Sequence, residues 1–134
     1  MLEQFATAHP DRAFAVPSLG MQCYLSAVDL SDGVIGNSSS GVIEVPSLRR
    51  PTVNIGVRQK GRLAADSVIH CGTSQDNITQ AIRKALSPSA KKISETCENP
   101  YGSGDTSTEI VDILKNQRAT GAKRFHDISW AHEE

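Results

Sequence analysis

Short β-prone apolar runs alternate along this chain with longer stretches of helical periodicity, and that alternation is the pattern of strand–helix–strand units around a parallel sheet. Arg12 to Val16, Gly33 to Ile35, Pro51 to Ile55 and Ser67 to Cys71 are the strand candidates. Helical spacing is expected over Met21 to Leu30, with Tyr24, Leu25 and Val28 on one face, and over Ser39 to Leu48, with Val42, Ile43 and Val45 apolar. Pro46 weakens the end of that second helix, because an interior proline lacks the backbone donor and clashes with the preceding turn. Further helices are expected over Asn77 to Leu86, Pro88 to Cys97 and Thr106 to Lys115, the last two separated by the turn-rich "NPYGSGD".

The opening departs from this pattern. Leu2 to Ala8 reads as a helix end with Leu2 and Phe5 on its apolar face, and no strand precedes it to complete a unit. A sheet built from Arg12 onward would lack the opening strands of a doubly wound fold and leave one edge exposed. The expected organisation is one partial domain over residues 1–115 followed by a polar tail over 116–134 carrying Phe125 and Trp130. At 134 residues the chain has the length of about one domain. The four-residue repeat "VPSL" at 16–19 and 45–48 is read as coincidence, one copy falling at a strand end and the other inside a helix.

Fourteen basic residues against fifteen acidic ones give a formal charge of −1, so no overall basic field attracts nucleic acid or an anionic membrane surface. Cys23, Cys71 and Cys97 are odd in number and widely spaced, which fits a reducing compartment better than a disulfide scaffold or a zinc site. No stretch has the apolar length of a membrane span and the N-terminus lacks the pattern of a signal peptide, so a cytoplasmic protein with neither metal nor cofactor is expected.

The most informative stretch is "GNSSSGVIEVPS", which follows the strand candidate Gly33 to Ile35. A loop leading from a strand into a helix presents backbone N–H groups without intrahelical partners at the positive end of the helix dipole. Small residues let that backbone approach a ligand, so Ser38, Ser39, Ser40 and Gly41 suit a pyrophosphate. Ser38 or Ser39 could equally be a plain helix cap, which needs only one of them. Glu44 lies one turn further on, where a carboxylate could accept from a ribose diol or stand as a solvated helix position. Arg58, in "GVRQKGR", follows the next strand candidate, on the side where open α/β sheets collect ligands. Together these residues suggest a nucleoside diphosphate.

"IGNSSSGVIEVPS", then "PTVNIGVRQKGR", then "NPYGSGDTSTEIVDIL" resemble the C-terminal half of the UDP-N-acetylglucosamine 2-epimerase family, in the family's order and over about Pro17 to Leu114. "GNSSSG", "RQKGR" and the terminal "KRFHDI" look more like the hydrolysing branch, which makes N-acetylmannosamine-type sugars for sialic or legionaminic acids. The resemblance implies a Rossmann-like three-layer parallel sheet, the C-terminal domain of a glycosyltransferase-B type fold, here without its opening strands. It implies UDP or a UDP-N-acetylhexosamine as ligand. Ser38 and Ser39 would contact the diphosphate, Glu44 the ribose and Arg58 the nucleotide, with Ser18 and Leu19 of "VPSLG" on the uracil side and Gly41 in the same loop. The reaction implied is elimination of UDP to a glycal, followed by hydration.

The family's acid–base carboxylates and its sugar-side histidine and arginine have no counterparts here, so no residue is assigned a catalytic role. His9, His70, His126 and His132 are read as ordinary imidazoles, and Cys71 and Cys97 as small hydrophobes. Three functions follow: an inactive-alone UDP-binding part of a hydrolysing 2-epimerase, a non-catalytic nucleotide-sugar-binding module, or a degenerate remnant. The module would pair with a separately encoded N-terminal half. That half or a second copy of the chain would also cover the exposed edge.

Overall fold

In the computed structural model, which describes residues 1–117 and 121, the sheet is built around Thr52–Ile55. This strand, β2, is flanked by β1 (Val34–Gly36) on one side and β3 (Val68–Cys71) on the other, all parallel in the order β1-β2-β3. The register pairs Val34 with Thr52 and Thr52 with Val68. A central parallel strand is covered on both faces and reads as a continuous buried run. Thr52, Val53 and Asn54 are all buried accordingly.

Successive side chains point to opposite faces, so β2 divides the packing. On one face Val53 meets Ala81 and Ala85 of α4 (Gln75–Ala85), with Ile55, Ile69, Cys71 and Ile82 around them. The other face carries Thr52, against which Gly41 packs at the start of α3 (Ser40–Ile43). Helix α2 (Gly20–Leu30) contributes the buried Val28, and α5 (Pro88–Thr96) the buried Ala90. The result is the α/β parallel-sheet architecture expected. Ser74 and Ser87 cap α4 and α5, each accepting from a backbone N–H at 3.3 Å, with Pro88 in the first turn of α5 where its missing donor costs nothing.

Two expectations are corrected. Arg12 to Val16 is not a strand: the backbone N–H groups of Arg12 and Ala13 close a turn onto the carbonyl of His9, at 3.2 and 2.9 Å. Among the described residues no strand pairs with this segment, and Phe14 is 86% exposed. Second, the helix expected over Ser39 to Leu48 is two pieces, α3 and a 3-10 turn over Val45–Leu48 with Pro46 in its first turn, ending at Arg49 in a left-handed conformation (φ 56°). Pro46 divides the segment because its ring cannot occupy a helix interior.

At the N-terminus, α1 (Leu2–Ala8) has no buried residue, and Phe5 meets His9 in a tilted ring contact with centroids 4.5 Å apart. Near the entry to β1, Lys91 of α5 bonds Asp32 at 2.7 Å, and this ammonium holds the Asp32 carboxyl below its usual range. The chain divides into two compact units, Met1–Ser103 and Gly104–Glu134; the second contains the amphipathic helix α6 (Thr106–Asn116). Most of the tail expected over 116–134, with Phe125, Trp130, His126 and His132, lies outside the described residues. Among the described residues no helix is long and apolar enough to cross a membrane, and no group of His, Cys, Asp and Glu could hold a metal ion.

Candidate functional site

The three consecutive serines after β1 do three different things. Ser38 is exposed, and its Oγ accepts from the backbone N–H of Ser40 at 3.3 Å. Ser39 is half-buried and starts α3 through its carbonyl, which accepts from Val42 and Ile43 at 3.0 and 2.9 Å, while its hydroxyl bonds to no other described residue. Ser40 turns inward, and its hydroxyl donates to Oε2 of Glu44 at 2.5 Å. One serine therefore closes the turn before the helix, one has an uncommitted hydroxyl and one orients a carboxylate.

Gly41 is buried, and its small size is used for packing: a Cβ there would stand 2.7 Å from Cγ2 of Thr52. The glycine lets α3 settle onto β2, and this seating brings the serine loop to the carboxyl end of β1. Glu44, at the junction of α3 with the 3-10 turn, is half-buried. Tyr24 reaches it indirectly from α2, through a hydrogen bond of 2.8 Å to the Ser40 hydroxyl.

Arg58 is exposed in the turn after β2 and makes no side-chain bond to another described residue. Its neighbour fastens the turn in place. Gln59 is buried, and its Nε2 donates to the carbonyl of Asn37 at 2.8 Å, so the segment carrying Arg58 is tied directly to the residue before Ser38. Ser38, Ser39, Glu44 and Arg58 thus sit on two loops that one buried side chain joins. Ser18 and Leu19 stand apart from this linkage. Ser18 Oγ accepts from the N–H of Gly20 at 3.2 Å and Leu19 begins α2, but no hydrogen bond joins either to the serine loop among the described residues.

The "NPYG" element braces the same region from below. Asn99 Nδ2 donates to the carbonyl of Ile43 at 2.8 Å and to Ser47 Oγ at 2.7 Å, and Tyr101 donates to the carbonyl of Leu63 at 3.0 Å. Asn99 therefore satisfies a carbonyl that the short helix leaves without an intrahelical donor. On β3, Asn54 bonds the exposed His70 at 2.9 Å; that imidazole lies in register with Asn54 and Gly36 toward the carboxyl ends of the strands, and it makes no hydrogen bond to the serine loop among the described residues.

Four contributors are not assigned from the sequence: Tyr24, Ser40 as a carboxylate partner, Gln59 and Asn99. Ser40 and Glu44 are four residues apart, the spacing at which helical side chains meet, so that pair had a usable signal. Tyr24 was hidden inside an apolar stripe. Gln59 has no local signature, because its burial depends on where the Asn37 carbonyl arrives.

The sequence model of the family described as UDP-N-acetylglucosamine 2-epimerase matches residues 1–115. Polysialic acid biosynthesis protein P7 of Escherichia coli is 37% identical over 114 residues, covering 83% of this chain and 29% of its own length. The UDP-N,N'-diacetylbacillosamine 2-epimerase (hydrolyzing) of Legionella pneumophila subsp. pneumophila is 36% identical over 107 residues, covering 80% of this chain and 27% of its own length. A crystal structure of a UDP-N-acetylglucosamine 2-epimerase superposes with a TM-score of 0.63 at 23% identity, over 90% of this chain and 36% of that one. That likeness establishes the fold, of glycosyltransferase-B type. The chain spans about a third of the length of the proteins it matches. With the family model covering all three motifs in order, the chain belongs to the UDP-N-acetylglucosamine 2-epimerase family.

Proposed function

We propose that this chain is the UDP-holding part of a hydrolysing 2-epimerase that acts on a UDP-N-acetylhexosamine in the cytoplasm. The observation that carries the reading is the joining of the serine loop and the Arg58 turn by Gln59, with an uncommitted Ser39 hydroxyl on one loop and an uncommitted guanidinium on the other. Both are donors suited to a diphosphate, and Arg adds a fixed charge. Glu44, one turn beyond the serines, accepts hydrogen bonds and suits a ribose diol. Ser18 and Leu19 would lie toward the base, and Gly41 would serve by seating the loop.

In the reaction so assigned, the C2 proton leaves and the C1–O bond to UDP breaks, giving a glycal and free UDP. Water then adds across C1 and C2 to yield the reducing sugar with C2 inverted. UDP gains negative charge as the C1–O bond breaks, so donors around its phosphates favour the transition state over the bound sugar nucleotide. The groups that move the C2 proton are assigned to no residue of this chain, and the chain alone is expected to give no product.

Calorimetric titration with UDP, using UMP and ADP as controls, tests the reading. Saturable binding that prefers UDP is expected, and Ser39→Ala and Glu44→Gln should each weaken it by about one to two decades in Kd, the value of a charge-assisted hydrogen bond. Variants that bind UDP like the parent would place the site elsewhere. A second reading, a binding module that works with a separately encoded N-terminal half, is favoured by the outer edge of β1, which pairs with no strand among the described residues and where Ile35 is 53% exposed. Activity regained on mixing the two chains would support that arrangement.

A further inference from the structure

The Glu44 carboxylate is held by a chain of hydroxyl groups that begins on another helix. A carboxylate can only accept, so the Ser40 hydroxyl must spend its single proton on Oε2 of Glu44, across 2.5 Å. Ser40 Oγ is then left as an acceptor toward Tyr24, and the phenol donates to it across 2.8 Å. The direction of both bonds follows from this count of protons. Oε1 of Glu44 has no hydrogen-bond partner among the described residues, and the side chain remains half-buried rather than enclosed.

We propose that Tyr24 and Ser40 are positioning residues that fix the Glu44 carboxylate with Oε1 presented outward, so that the site selects a nucleotide with an intact ribose over one lacking its hydroxyls. The inference rests on the nucleotide reading above and adds how the ribose contact is made selective. Glu has one of the larger side-chain entropies to lose on ordering. Here Ser40 and Tyr24 restrain that freedom before any ligand arrives, and such preorganisation raises affinity only for partners that use the fixed group. The hydroxyl chain draws on two separate elements, α2 and the first residue of α3. An i,i+4 pair within one helix would not require the tyrosine.

The test compares UDP with 2′,3′-dideoxyuridine diphosphate on the full chain and its variants, reading the ratio of the two affinities. The parent should prefer UDP by roughly tenfold or more, as for hydrogen bonds to a charged acceptor. Ser40→Ala should reduce that ratio roughly three- to tenfold and Tyr24→Phe about threefold, both by weakening UDP while the dideoxy affinity holds. Because Tyr24 acts through Ser40, the double variant should match Ser40→Ala alone. Tyr24→Phe keeps the ring and its packing, so it carries the test if Ser40→Ala does not fold.

Equal weakening of both nucleotides would make the two residues merely structural and overturn the proposal while leaving the nucleotide site intact. An unchanged ratio in the variants would do the same. A parent that binds UDP without discriminating the dideoxy analogue would remove Glu44 from the ribose, and a parent that binds neither would remove the nucleotide reading itself; either overturns the positioning proposal.

Discussion

The two faces of β2 are built on different rules. On the face that meets α4, Val53 packs among Ala81, Ala85, Ile55 and Ile82 in an apolar cluster. On the face that meets α3, the strand presents Thr52 and Asn54, and both are buried with one polar atom, Oγ1 and Oδ1 respectively, that has no hydrogen-bond partner among the described residues. Gln59 Oε1, in the turn after β2, and Ser67 Oγ, just before β3, share that condition. The first face is held by area removed from water, which is indifferent to detail. The second is held by fit between particular atoms, and it is the face on which the serine loop is mounted. Buried polar groups without partners cost stability, so their presence marks a surface shaped by something other than stability alone.

The largest effect that would break this contrast belongs to Gly41. A Cβ at that position would lie 2.7 Å from Thr52 Cγ2, and the threonine, 2% exposed, has no room to retreat. Gly41→Ala is therefore expected to destabilise the chain by about 3 kcal/mol, the upper range for overpacking. Chemical denaturation would measure it. Adding Thr52→Ser removes the opposing methyl and should recover most of the loss, since the two side chains couple directly. A Gly41→Ala chain as stable as the parent would mean that α3 is not seated on β2 by this contact.

Val53→Ala probes the opposite face. Two methyl groups leave a site that is 1% exposed, and a loss of about 2 kcal/mol is expected from transfer plus the cavity left behind. Only if Val53→Ala is milder than Gly41→Ala does the polar face deserve to be called the more constrained one.

The same contrast explains what could be read from the sequence. Gly33 to Ile35, Pro51 to Ile55 and Ser67 to Cys71 were expected as strands and form β1, β2 and β3 to within one or two residues, because β-prone runs bounded by turn residues carry a local signal. Ala81, Ala85 and Ile82 lie within helical spacing for the same reason. Arg12 to Val16 carries that signal as well and is not a strand, because a strand exists only beside another and this segment has no strand neighbour among the described residues. The serine loop and Glu44 were legible as types suited to a ligand, whereas the bonds from Tyr24 and Gln59 join residues 16 and 22 positions apart and are written in no local pattern. Periodicity predicts which way a side chain points; it does not predict which atom will meet it.

Thr52→Val should have the smallest effect and the opposite sign. The substitution keeps the branched shape and replaces the hydroxyl with a methyl. Swapping Thr for Val in a core usually loses the hydroxyl's hydrogen bond. At this position there is no such bond to lose, because Thr52 Oγ1 is buried and unpartnered among the described residues. Removing it ends a desolvation penalty, so a gain of about 1 kcal/mol is expected, measured as a higher denaturation midpoint with an unchanged slope. Stabilisation together with retained UDP affinity would show that the polar character of this face at Thr52 is not needed by the ligand. Stabilisation with weakened affinity would connect the unpartnered hydroxyl to the seating of the serine loop. A clear loss of stability would show that Oγ1 is satisfied in solution, and the contrast between the two faces would then be one of shape and not of polarity.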